Sequence, residues 1–114
     1  MESLERILLF DYYGDLLTER QKICFDMHYN QDLSLSEIAQ ELSISRQAVH
    51  DTLTRTEQLL KNMEAKTGCV RRDQACRAAA ETILTAARQL RNHSDTAVSR
   101  LAGEIIAAAR GLEE

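Results

Sequence analysis

No Pro, no Trp and only four Gly interrupt this chain of 114 residues, and three Tyr with two Phe are its whole aromatic content. With 44% hydrophobic and 28% charged residues, so few breakers describe a soluble, helical chain with room for one modest core, or for a small domain plus a helical arm. No stretch approaches the roughly 18 consecutive apolar residues of a membrane span, so membrane insertion is not expected. The apolar patch "ILLF" follows an acidic start, Met1-Glu2-Ser3-Leu4-Glu5, and is too short for a secretory signal. The expected location is the cytoplasm.

Cysteine is scarce and odd in number. Cys24, Cys69 and Cys76 show no CxxC spacing, against both a disulfide framework and a zinc module. Cys24 and His28 could share a helix face, but no further ligands cluster with them, and the pair reads as a buried thiol beside a half-exposed imidazole. No metal or cofactor is implied. Positive charge is short as well: the net charge is −4, whereas non-specific nucleic-acid affinity comes mainly from Lys and Arg neutralising phosphates. There is no GxGxxG, no GxxxxGK[ST] and no nucleophile with an evident base, so no catalytic residue is assigned and no enzyme is expected. Tyr12-Tyr13 and Phe25 with Tyr29 lack the basic neighbours that base-stacking platforms want and read as core or helix-end residues. Arg71-Arg72 at a helix start is read as solvated or partner-facing, because its charge opposes the helix dipole.

What is present is helix punctuation. Leu4 to about Tyr13 is an apolar helix stopped at Gly14, where positive φ carries no penalty. Thr18-Glu19-Arg20-Gln21 is a capping box opening a helix to about Tyr29, and "NQD" is a turn. Ser34-Leu35-Ser36-Glu37 is a second capping box for a helix ending near Leu42. Ser45 caps a fourth helix, Arg46 to about Lys66, before Gly68. Its stripe Val49, Leu53, Thr56, Leu60 and Met63 steps by four and three and presents one seam to a partner.

Composition shifts near Thr67-Gly68. Residues 1–66 carry seven Lys/Arg, twelve Asp/Glu and three Ala; residues 67–114 carry seven Arg, six acids and eleven Ala. The expected organisation is a domain over 1–66 and an Ala-rich antiparallel helical hairpin over 67–114, with stripes Cys76, Ala79, Ile83, Ala86, Leu90 and Val98, Leu101, Ile105, Ala108, Leu112 around the linker "RNHSD". Ala buries little area, so the hairpin needs cover. Either a second copy in a homodimer or the chain's own first domain can supply it.

The stretch "LSLSEIAQELSISRQAVHDTLTR" meets the requirements of a helix-turn-helix. Ala39 is the small contact residue, Ile38, Leu42, Ile44, Val49 and Leu53 form the wedge, and Ser43 stands where Gly often makes the turn. With Val49 and Leu53 inward, Arg46, Gln47, His50, Thr54 and Arg55 face outward. Arg46 and Gln47 sit at the helix start where base edges are met, and Thr54 and Arg55 could hold phosphates. Against DNA stand Glu37, Glu41, Asp51 and Glu57 beside that face.

"LLFDYYGDLLTERQ" followed by "DLSLSEIAQELSISRQAVHDTLTRTEQLL" resembles the YlxM family, small bacterial helix-turn-helix proteins whose genes lie beside those of the signal recognition particle. The resemblance covers about residues 4–66, and Leu17 to Leu53 is also similar to the DNA-binding C-terminal region of sigma factors. It implies an all-α, commonly dimeric protein that regulates the signal recognition particle pathway, touching its GTPase or its RNA–protein complex. Arg46, Gln47, Ala48 and Val49 carry the family's "RQAV"; His50 stands where a Tyr is expected, and the Ala-rich half is unlike the family's usual tail. Two functions are therefore weighed: a non-enzymatic regulator of protein targeting, and a sequence-specific DNA-binding transcription regulator. A positive rim around Arg46 and Arg55 favours DNA, and a neutral or acidic rim favours protein.

Overall fold

The computed structural model describes residues 2–113, and every regular element among them is helical. The α-helices are α1 (Ser3–Tyr13), α2 (Glu19–Phe25), α3 (Leu35–Leu42), α4 (Arg46–Thr67), α5 (Cys69–Arg91) and α6 (Thr96–Gly111). The chain is all-α, as its composition and capping pattern predict.

Local hydrogen bonding sets most of the boundaries. At α2 the Thr18 hydroxyl accepts from the Gln21 amide at 3.2 Å while the Gln21 side chain accepts from the Thr18 amide at 3.0 Å. The same reciprocal pair, Ser34 with Glu37, opens α3 at 3.1 Å in both directions. Ser45 caps α4 through the Ala48 amide at 3.0 Å. Gly68 ends α4 in the left-handed region at φ 62°, a conformation that carries little strain without a Cβ.

At two helix ends the boundary is the expected one but the local geometry is not. Gly14 is right-handed, with φ −55°, and starts a 3₁₀ turn, Gly14–Leu16; its freedom of φ is not what ends α1. After Phe25 the second helix widens into a π turn, Asp26–Asn30. There the Asp26 carboxylate accepts from the side-chain amides of Asn30 and Gln31 at 2.8 and 2.7 Å, while His28 Nδ1 bonds the Leu33 carbonyl at 2.9 Å. One extra residue in the turn re-aims the side chains that follow, and Tyr29 thereby reaches α4.

By contact the chain divides into two units, residues 1–70 and 71–114. A clamp the sequence does not announce closes the first unit. Tyr13 donates to Glu64 Oε1 at 2.7 Å and bonds Thr67 Oγ1, and the Val70 amide donates to the same Glu64 oxygen at 3.0 Å. Val70 is buried with the first unit's core.

That core gathers around α4, against which α1, α2 and α3 all pack. Val49, Leu53, Thr56 and Leu60 are buried, and Thr56 satisfies its hydroxyl on the Thr52 carbonyl at 2.7 Å. The seam expected to face a partner is thus covered within the first unit. Phe10 stacks on Phe25 with centroids 4.6 Å apart, and Phe25 meets Tyr29 at 4.6 Å. At the outer end of that stack Glu57 Oε1 accepts from Arg6 Nε at 2.8 Å and from Tyr29 OH at 2.6 Å, with the Arg6 guanidinium 4.6 Å above the Tyr29 ring. Burial, then the bond to Glu57, pushes Tyr29 up to about 12. Burial raises Glu57, but the hydrogen bonds from Tyr29 and Arg6 together outweigh it and hold the carboxyl below its ordinary value.

In the second unit α5 and α6 share a small cluster, Leu84 and Ala87 with Ile106 and Ala109. The buried positions, Ala80, Leu84, Ala87 and Ala102, Ile106, Ala109, lie one residue beyond those expected. Ile83, Leu90, Leu101, Ile105 and Leu112 are instead 42–52% exposed. Both flanks of each helix repeat by threes and fours, so the period alone does not choose between them; in the packed pair Leu84 and Ile106 take the inside, flanked by Ala87 and Ala109.

Two consequences can be measured. Ser43 holds φ 57°, which costs a non-Gly residue on the order of 1 kcal/mol, so Ser43→Gly should raise stability by about 0.5–1 kcal/mol in chemical denaturation; a loss would mean that the Ser side chain supports the turn. Glu57, lowered from 4.5 when folded, contributes stability that is full above its unfolded pKa and lost as pH falls through the folded value. Tyr29, raised from 10.0 to about 12, contributes stability that is full below pH 10 and lost as pH rises towards 12. Tyr29→Phe should therefore lose about 1 kcal/mol at neutral pH and flatten the alkaline decline, read from denaturation midpoints across pH.

Candidate functional site

The helix-turn-helix is α3, the turn Ser43–Ser45 and α4. Its corner follows from one left-handed residue: Ser43 reverses the chain, and the Ile44 amide returns to the Ala39 carbonyl at 3.0 Å. Ile38, Ala39, Val49 and Leu53 are buried in one core, with Leu42 and Ile44 half-buried against it. This wedge fixes the rotation of α4 about its axis, and the outward face follows from the 3.6-residue period.

Arg46, Gln47, His50, Thr54 and Arg55 are all exposed. They share one surface, but an acid stands among them. Asp51 Oδ1 accepts from Gln47 Nε2 at 3.0 Å and lies 3.6 Å from His50 Nδ1. The amide that would address an adenine is thereby engaged by a carboxylate on its own helix. Arg46 and Arg55 form no ion pair among the described residues. With Glu37 and Glu41 exposed on α3, the rim is close to neutral. The Gln47–Asp51 bond was legible in principle as an i,i+4 pair; the sequence reading placed the acid and missed the bond.

Other residues singled out from sequence take structural places. Tyr13 clamps the α4–α5 junction, where burial first of all raises its phenol, and Tyr12 is exposed, edge-on to Tyr13 at 4.9 Å. Cys24 is fully buried, its thiol pKa pushed up by burial, and His28 is occupied with the Leu33 carbonyl. No group of three or more His, Cys, Asp or Glu poised for a metal occurs among the described residues, and none of their helices is long and apolar enough to cross a membrane.

Comparison with known proteins agrees with this geometry. A UPF0122 protein of Desulforamulus reducens is 55% identical over 71 residues, covering 61% of this chain and 61% of that one. A UPF0122 protein of Thermoanaerobacter sp. strain X514 is 52% identical over 67 residues, covering 59% of this chain and 57% of its own, and one of Listeria innocua is 48% identical over 67 residues, covering 59% and 61%. The chain spans about three-fifths of the length of these curated relatives. A match to the UPF0122 family, described as "Putative helix-turn-helix protein, YlxM / p13 like", runs over residues 1–99, well past the 4–66 in which the resemblance was read and into the Ala-rich half. The chain, whose α3, Ser43 and α4 build a helix-turn-helix, belongs to the YlxM/p13-like helix-turn-helix family.

Proposed function

We propose that this chain is a non-enzymatic regulatory protein acting in the cytoplasm, in the signal recognition particle pathway, and that its helix-turn-helix presents a protein-contacting surface to the particle's GTPase or its RNA–protein complex. The observation that carries the reading is Asp51. Its carboxylate holds Gln47 at 3.0 Å in the middle of the surface that a DNA reader keeps positive. The seven Lys/Arg and twelve Asp/Glu of residues 1–66 favour a protein partner over phosphate in the same way, since phosphate neutralisation supplies most non-specific DNA affinity. A second reading, a DNA-binding transcription regulator, draws support from Arg46 and Arg55, both exposed and without an ion pair among the described residues.

We also propose a homodimer. Ile83, Leu90, Leu101 and Ile105 form an exposed apolar flank on a hairpin whose own buried cluster is too small to be self-sufficient, and a second copy offers the same flank in return.

Titrating the signal recognition particle GTPase, with and without its RNA, should change GTP turnover at roughly micromolar protein; unchanged turnover together with no co-migration refutes the pathway reading. The DNA reading instead expects salt-sensitive binding to a two-fold-related site, weakened by Arg46→Ala and Gln47→Ala, with the two α4 helices about 34 Å apart in the dimer. For the dimer, sedimentation should give a two-chain mass for the native protein and a one-chain mass for Ile83→Glu/Ile105→Glu. A native one-chain mass at roughly tens of micromolar ends that proposal.

A further inference from the structure

A second surface lies apart from the outward face of α4. Between α1, α2 and the end of α3 the first unit carries an open groove of about 610 Å³, and none of its lining residues belongs to α4. Its floor is apolar: Phe10 from α1, Ile23 from α2, Met27 from the π turn and Leu42 from the end of α3. Ile23 is 39% exposed there, next to the buried Cys24 and Phe25. Three carboxylates belong to the lining, Glu19 and Asp26 at the two ends of the α2 stretch and Glu41 on α3, Asp26 with both oxygens held by the Asn30 and Gln31 side-chain amides. The one cation in the lining, Lys22, is paired with Asp15 at 2.6 Å, so the rim stays negative.

The sequence order explains the arrangement. Glu19, Ile23 and Asp26 step by four and three and so share one helix face, with the apolar residue between the two acids. Leu42 reaches the groove because Ser43 ends α3 immediately after it.

We propose that this groove is a docking site for a basic amphipathic helix of another protein. An open apolar trough can take the i, i+3, i+4, i+7 face of a helix. Flanking carboxylates select Lys or Arg at the edges of that face and disfavour phosphate, which argues against nucleic acid and anionic lipid as the occupant. The groove's chemistry holds whichever partner meets α4, so the two surfaces stand or fall separately.

The test is an NMR titration of the ¹⁵N-labelled full chain with a roughly four-turn synthetic peptide carrying Leu along one face and Lys on the others. Saturable shifts should centre on the amides of Ile23, Met27 and Leu42. Ile23→Lys and Glu41→Lys should each weaken binding, and together by about tenfold or more. Both positions are exposed, and Glu37, not Glu41, makes the α3 cap; should Ile23→Lys fail to fold, Glu41→Lys alone makes the comparison. Unsaturable shifts spread over the acidic surface would overturn the proposal, as would equal binding by the variants or by a peptide with Glu in place of Lys. The same amides shifting on self-concentration, with anionic phospholipid vesicles or with a DNA duplex would assign the groove to a second copy, a membrane surface or nucleic acid, and would equally overturn it.

Discussion

Burial of the inner side of α4 is the constraint on which the first unit depends. Val49, Leu53, Thr56 and Leu60 recur at helical spacing and are all covered, and α1, α2 and α3 meet one another chiefly through this helix. Fully burying aliphatic side chains of this size contributes about 1.5–3 kcal/mol each, which no surface ion pair on the molecule approaches. The seam also fixes the rotation of α4, so the composition of its exposed side is decided by what must be hidden on the other.

Polar groups are distributed accordingly. Glu57, at the edge of the seam, is compensated by Arg6 and Tyr29 and joins three segments far apart in sequence. Glu64 plays the same part near the far end of the helix, collecting Tyr13 and the Val70 amide. Asp51, on the outward side, has no such structural duty; it engages Gln47 and leaves the surface close to neutral. A helix-turn-helix is a scaffold for presenting one helix, and the charge of the presented side indicates which class of partner it suits.

The second unit obeys weaker constraints. Its shared cluster is small, Leu84 and Ile106 with two Ala, and Ile83, Leu90, Leu101 and Ile105 remain exposed. An exposed apolar flank on so small a unit is a surface suited to association.

The residues that begin and end the helices were legible in the sequence because their bonds are local: Thr18 with Gln21, Ser34 with Glu37, Ser45 with Ala48, and Gly68 at the end of α4. The inner seam of α4 was legible for the same reason, since one apolar stripe on an otherwise polar helix has a single way to face inward. On the Ala-rich helices two neighbouring flanks satisfy the same period, and periodicity gives spacing without phase; only the packed pair selects Leu84 and Ile106 over Ile83 and Ile105. What covers the α4 seam, the clamp of Tyr13 on Glu64 and the junction of Arg6, Tyr29 and Glu57 were likewise decided by tertiary structure, because they join residues up to 51 or 54 positions apart whose meeting depends on how the helices are arranged. The acidic groove belongs with them: its floor comes from three helices and a π turn, and no single segment of the chain contains it.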